Sequence, residues 1–243
     1  MNSNLVCARE SEHSPLVAIV TGTSRGIGRG IAERLLDDGY IVYGCSRGEM
    51  QFLHPRYRHH QIDISSESEI NKWLKKINTE CGRLDVILCN AAMSAPAPAL
   101  VTTHQQLQDM FQVNFFGAVA LCRVGAKLMM KNRSGRIIAF SSIGVVMSDV
   151  GTSAYVASKS ALEAYLKVLG RETAPYNITC NVIRIPIVES EMTKKLPTDA
   201  VKRVLDRVAA KRYATISDIY NLVKFLVSQE SAYVNGEVIS LGF

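Results

Sequence analysis

The chain has 243 residues, 47% of them hydrophobic and 21% charged, with a formal net charge of +6. That is enough apolar material for one large core, so a disordered chain is excluded, and α/β domains of this size are often single. The six cysteines (Cys7, Cys45, Cys81, Cys89, Cys122, Cys180) have no CxxC spacing and the basic residues form no block, which argues against a structural metal site and a nucleic-acid-binding tail.

Met1 to Ser14 is polar and unpatterned and is expected to fray, leaving one domain over residues 15–243. The segment lacks the apolar core of a signal peptide, and no later run reads as long enough to span a bilayer. A cytoplasmic protein with reduced thiols is therefore expected. Leu16 to Val20 is a continuous apolar run that ends in a glycine turn, Thr21 to Gly28. Ile27 to Leu36 has apolar residues at helical spacing, with Gly39 as its stop. Ile41–Cys45 and Arg58–Ile62 read as the second and third strands. Glu67–Glu80 reads as a helix with Ile70, Trp73, Leu74 and Ile77 inward, and Val86–Cys89 as the fourth strand. A long helical region over about Gln105–Lys131 precedes a strand at Arg136–Phe140. Tyr155 to Glu172 is a further long helix. Strand Ile178–Ile183, an irregular stretch with two helical patterns, and strand Val238–Leu241 complete the chain. Apolar strands alternating with helices indicate a single doubly wound parallel sheet with helices on both faces, and ligands at the carboxyl ends of its strands. His59 and His60, beside Arg56 and Arg58, are explained by a strand edge and its turn better than by metal binding, so no metal site is expected.

In Thr21-Gly22-Thr23-Ser24-Arg25-Gly26-Ile27-Gly28 a strand runs directly into a helix. Glycines there allow a tight bend and a close backbone approach to a pyrophosphate, and the helix N-terminus adds free N–H groups. The spacing is GxxxGxG rather than the commoner GxGxxG. A nicotinamide dinucleotide is the expected ligand, held at Gly22, Ser24, Arg25, Gly26, Ile27 and Gly28. A carboxylate ending the second strand would favour NAD(H). The chain has Ser46-Arg47 there, with Arg25 on the same side, so NADP(H) is favoured. Asp63 is placed to accept from the adenine amino group, and Asn90-Ala91 to let the ribose lie against backbone.

Tyr155 and Lys159, at i and i+4, share a helix face. Free tyrosine titrates at about 10, and lowering that by about three units takes about 4 kcal/mol. One ammonium at roughly 4 Å, with an effective dielectric of about 20, supplies about that much. Lys159 is therefore expected to tune Tyr155 as an acid–base group. Ser142 is expected to hydrogen-bond the substrate oxygen, and Asn114 to bind a water linking Lys159 to solvent.

These residues carry a resemblance that covers Leu16 to Gly242. The glycine turn, Asp63, Asn90-Ala91, Asn114, Ser142, Tyr155 and Lys159 resemble those of a small, single-domain short-chain dehydrogenase/reductase. The resemblance implies a seven-stranded Rossmann-like sheet and transfer of the pro-S hydride between NADP(H) and a carbonyl or secondary alcohol. It also implies Tyr155 as general acid/base, Lys159 on the nicotinamide ribose, and cofactor contacts at Pro186, Val188 and Ser190. Homo-oligomers built on the two long helices are implied as well. Within the family the chain is most similar to 3-oxoacyl-[acyl-carrier-protein] reductases, over Met129–Ile138 and Asn181–Met192. Arg133 matches an arginine that grips the acidic carrier protein, whereas Tyr176 stands where the second such arginine is expected. Ile185-Pro186 replaces the usual Pro-Gly, Cys89 and Ala92 replace an asparagine and a glycine, and the chain stops at Gly242-Phe243. These departures point to a specialised reductase.

Substrate contacts are expected from Met93–Pro98, Gly144–Gly151 and the segment after Pro186, with Met93, Met147 and Met192 among them. Val201, Val204, Leu205 and Val208 form an amphipathic pattern suited to a lid. Lys194, Lys195, Lys202, Arg203 and Arg207 line its polar side as a solvated face, or as a grip on an acidic substrate. The reading is an NADPH-dependent reductase of a 3-oxoacyl thioester or related ketone. An NAD-linked secondary-alcohol dehydrogenase and a cofactor-binding sensor or scaffold are the alternatives.

Overall fold

A computed structural model describes residues 14–50, 52–189, 193 and 198–242. The expected fraying segment, apart from Ser14, lies outside the described residues, as do Ser190 and Met192.

Seven parallel strands form one sheet: β1 (Val17–Thr21), β2 (Ile41–Ser46), β3 (Tyr57–Gln61), β4 (Val86–Cys89), β5 (Gly135–Ser142), β6 (Ile178–Ile185) and β7 (Val238–Ser240). Their order is β3-β2-β1-β4-β5-β6-β7, with every neighbouring pair parallel. Parallel neighbours require crossovers, and the helices that make them cover both faces. Burial on both sides explains why the central strands read as unbroken apolar runs: every residue of β1 and β4 is buried. One apolar layer packs Trp73, Leu74 and Ile77 of α2 (Glu67–Cys81) under Ile19, Ile87 and Ile137. The other packs Ile31 and Leu35 of α1 (Gly26–Asp37) with Ile219 and Val223 of α8 (Ile216–Val227), against Val20, Leu88 and Ile138.

The long central helical region is not one α-helix. Helix α3 (His104–Phe111) passes through a π-helical turn, Gln112–Gly117, into α4 (Ala118–Asn132). The insertion places Asn114 in the wide turn, and such π segments often mark functional sites. One expectation needs correcting here. The run His104–Asn132 is long and apolar enough to cross a membrane by length and composition, with half of its most apolar window buried within the protein. Packing against the sheet accounts for that character, since Leu121, Cys122, Ala126 and Met129 lie in the core.

Two strands run two residues further at their carboxyl ends than predicted. β5 continues to Ser142 and β6 to Ile185, held by the pairs Ser141↔Arg184 and Ser142↔Ile185. Ser141, Ser142 and Arg184 at these ends are polar, so the apolar pattern stops before the strand pairing does. A short helix α5 (Gly144–Met147) follows β5. Helix α6 (Ser153–Thr173) begins two residues before Tyr155, and α7 is Thr198–Arg207. The strand order reverses between β1 and β4, so Thr21, Cys89 and Ser142 all end at the crevice where open α/β sheets bind ligands.

Candidate active site

At the end of β1 the chain turns through Gly22, whose φ of +73° lies in the left-handed region. A Cβ at Gly22 would sit 2.7 Å from Asn90 Nδ2, and one at Gly28 would collide with the Gly22 carbonyl and the same amide. The turn is therefore drawn tight against the end of β4. Thr21 holds it there, because its Oγ1 accepts from the backbone N–H groups of Asn90 (3.0 Å) and Ala91 (2.9 Å). Asn90 Nδ2 in return donates to the Thr21 carbonyl at 2.7 Å. Asn90 thus braces the turn, a more definite role than lining a ribose. Ser24, Arg25 and Gly26 are exposed, and Ile27 half-exposed, at the N-terminus of α1. Arg25 is the N-cap and makes no side-chain cap hydrogen bond, which leaves the helix end open to an anion.

The corner after β2 is less open than expected. Ser46 Oγ donates to the Gly48 carbonyl at 2.8 Å and lies 3.1 Å from His59 Nε2, so its hydroxyl is not a free phosphate donor. Arg47 is exposed. Asp63 accepts from the Ser65 backbone (2.9 Å) and hydroxyl (2.7 Å) through Oδ1. Those bonds, with a smaller pull from Arg47, hold its carboxyl below the usual range.

Ser142, Tyr155 and Lys159 come together at the carboxyl end of β5. A hydrogen bond from the Ser142 side chain pulls the Tyr155 phenol down, but burial outweighs it and raises the pKa above the ordinary value. Lys159 is buried, and its ammonium donates to the Phe140 carbonyl at 2.7 Å. Burial pushes Lys159 down to about 8, with smaller opposing pulls from Cys89 and Glu163. Burial and Ser142 are the causes that move Tyr155, and one of the three ammonium N–H donors of Lys159 is taken by the Phe140 carbonyl.

Asn114 bridges two elements of the site. Its Oδ1 accepts from Met93 N–H at 2.8 Å, and its Nδ2 donates to the Met93 carbonyl (2.9 Å) and to Ser158 Oγ (3.0 Å). Ser158 donates onward to the Tyr155 carbonyl at 2.7 Å. Both amide protons are used, so the side chain acts as a clamp between the loop after β4 and helix α6. A water could be held only at the remaining oxygen lone pair or at backbone.

Around the mouth, Met93 is half-exposed, and Met147 packs with Ile143, Val204 and Val208, which seats α7 over α5. Pro186 and Val188 are buried. Val188 pairs with Ala214, and its carbonyl accepts from Thr193 Oγ1 at 2.7 Å. The basic residues Lys202, Arg203 and Arg207 are exposed on α7. The other two lysines of that group lie outside the described residues.

Sequence reasoning missed the polar layer under the site. Glu163, one turn beyond Lys159, is buried and accepts from Ser141 Oγ at 2.6 Å and from Arg184 through a two-point ion pair at 2.9 and 2.7 Å. The i+4 spacing from Lys159 to Glu163 could have signalled an ionisable row on one helix face.

Three comparisons fit this geometry. The short chain dehydrogenase family matches residues 16–201. The 3-oxoacyl-[acyl-carrier-protein] reductase FabG of Escherichia coli K12 is 33% identical over 229 residues, covering 92% of this chain and 94% of the relative. The protein of the same description from Vibrio harveyi is 31% identical over the same share. Among solved structures, "ElxO with NADP Bound" superposes with a TM-score of 0.86 at 23% identity, covering 93% of this chain and 97% of that one. A putative gluconate dehydrogenase from Agrobacterium tumefaciens gives 0.85 at 24%, covering 93% and 94%. The chain belongs to the short-chain dehydrogenase family of oxidoreductases.

Proposed function

We propose that this chain is an NADPH-dependent reductase that converts a ketone, a 3-oxoacyl thioester or a related carbonyl, to a secondary alcohol. The observation that carries the reading is the convergence of Ser142 at the end of β5 with Tyr155 and buried Lys159 on α6, in a sheet whose first strand ends in a glycine turn drawn tight enough to fit a pyrophosphate. When bound, NADPH would supply the hydride. Tyr155 would give its proton to the substrate oxygen as charge develops there. Ser142 donates to the same oxygen and orients it. Lys159, fixed on the Phe140 carbonyl, would hold the cofactor ribose with its remaining donors, and Asn114 keeps the Met93 loop in register with α6. Arg25 and Arg47 suit a 2′-phosphate through paired guanidinium donors.

Several supports come from relatives. The FabG proteins are named for acyl-carrier-protein substrates, and the ElxO structure is described with NADP bound. We extend both to this chain, with a cytoplasmic location and a homodimer or homotetramer. Carrier docking at Arg133 is qualified by geometry. Arg133 donates to the Pro175 carbonyl at 2.9 Å and lies 5.8 Å over the Tyr176 ring, so its guanidinium is partly committed to its own chain. The test is a fluorescence titration with NADPH and NADH, followed by turnover of 3-oxoacyl thioesters. Preference for NADPH and consumption of thioester are expected; preference for NADH would return the NAD-linked alcohol dehydrogenase. Binding of neither would favour a sensor or scaffold, which the buried Ile185–Val188 segment would suit.

A further inference from the structure

Tyr57 and His59 reach the cofactor end of the sheet through contacts that the chemistry above does not use. The Tyr57 hydroxyl lies 2.8 Å from Thr23 Oγ1, inside the glycine turn, and 3.0 Å from His59 Nδ1. At the other side of the imidazole, Nε2 lies 3.0 Å from the Gly48 carbonyl oxygen and 3.1 Å from Ser46 Oγ. A carbonyl has no proton to give, so Nε2 must be the donor to Gly48. Ser46 Oγ donates to the same oxygen at 2.8 Å. The Thr23–Tyr57–His59–Gly48 chain therefore ties together two loops, the turn after β1 and the corner after β2. The rings of Tyr57 and His59 stack at 6.1 Å. Space for the chain exists because residue 44 is glycine, where a Cβ would strike the Tyr57 hydroxyl and come within 2.6 Å of Thr23 Oγ1.

We propose that His59 is a specificity-determining positioning residue, one that sets preference for the 2′-phosphorylated cofactor by drawing the Gly48 carbonyl inward and leaving exposed Arg47 as the face of the corner. A carbonyl oxygen turned toward a 2′-phosphate would repel it; one held by two donors is anchored and its partial charge is satisfied. A 2′-hydroxyl carries no charge to be repelled, so NADH should be indifferent to the device. The proposal rests on the NADP(H) reading of the cofactor.

The test measures NADPH and NADH dissociation constants for the unaltered chain, His59→Phe and His59→Gln. His59→Phe keeps the ring stack but has no ring nitrogen. It should weaken NADPH by about 5–10-fold, the loss of one hydrogen bond, and NADH by less than about twofold. His59→Gln retains a donor and should recover part of the loss. Equal weakening of both cofactors, or none, would overturn the proposal. If His59→Phe does not fold, His59→Gln and Tyr57→Phe are read by the same NADPH-to-NADH ratio. An unaltered chain with no preference for NADPH overturns the cofactor reading itself, and this proposal with it, before any variant is made.

Discussion

At the scale of single residues, Tyr155 and Lys159 illustrate opposite uses of burial. Burial raises the phenol, which keeps Tyr155 protonated, and lowers the ammonium to about 8, which makes Lys159 costly to hold charged. Tyr155→Phe should reduce turnover by about 10²–10⁴-fold, the usual worth of a general acid, while the NADPH dissociation constant stays within about twofold. Steady-state kinetics beside a binding titration would read both. Lys159 makes a stability prediction. Its folded pKa, about 8, lies below the unfolded value of 10.5, so between those values the unfolded chain binds the additional proton. Stability conferred at this position therefore rises with pH across that window, by up to about 3 kcal/mol in total. Lys159→Met should consequently gain stability at pH 7 by a few kcal/mol at most, lose activity, and flatten the pH dependence of urea unfolding between pH 8 and 10.5. A variant less stable than the unaltered chain at pH 7 would contradict this account.

At the scale of elements, the site is held by bonds that bind one loop to another. Asn114, set in the π turn between α3 and α4, spans from Met93 to Ser158 and so to the Tyr155 carbonyl. Asn114→Ala would leave the Met93 N–H and carbonyl and the Ser158 hydroxyl short of partners in a buried setting, costing about 1–3 kcal/mol. The loss in kcat/KM should exceed what that instability explains, because the substrate loop and the catalytic helix lose their common brace. Thermal unfolding and kinetics on one preparation would separate the two effects. Much at this scale was legible in the sequence. Helix α2 was found with its four inward residues, since Ile70, Trp73, Leu74 and Ile77 follow a 3.6 period, and all four are buried. The π turn was not, because a single turn is too short to show in the residue types a period different from that of the α-helices on either side. The last residues of β5 and β6 were also missed: Ser141, Ser142 and Arg184 are polar, and strand pairing rather than hydrophobicity extends the sheet through them.

At the scale of the whole molecule, one parallel sheet carries its ligand crevice at the strand-order reversal, and a largely buried ion pair ties the helix of the site to the sheet. The pair Glu163–Arg184, with Ser141, joins α6 to β5 and β6. Glu163→Ala would remove the partner of the partly exposed Arg184 guanidinium and of the buried Ser141 hydroxyl and should cost about 1–3 kcal/mol in urea unfolding, whereas changing the exposed pair Arg29–Glu33 should cost less than about 1 kcal/mol. The fold and the glycine turn could be read from sequence because both are patterns local in the chain. The clamps Asn114–Met93, Thr21–Asn90 and His59–Gly48 could not, since each joins residues whose proximity exists only after the sheet is assembled. The Ser46 hydroxyl shows the same limit: its position next to Arg47 was evident, but its commitment to Gly48 and His59 depends on the β2–β3 register.

The most direct test of the account is oxidation of NADPH by the purified chain in the presence of a 3-oxoacyl thioester, compared with Tyr155→Phe. Thioester-dependent NADPH consumption that disappears in the variant while NADPH binding persists is the predicted result. Unchanged consumption in Tyr155→Phe, or tight NADPH binding with no turnover of any ketone by the unaltered chain, would contradict it.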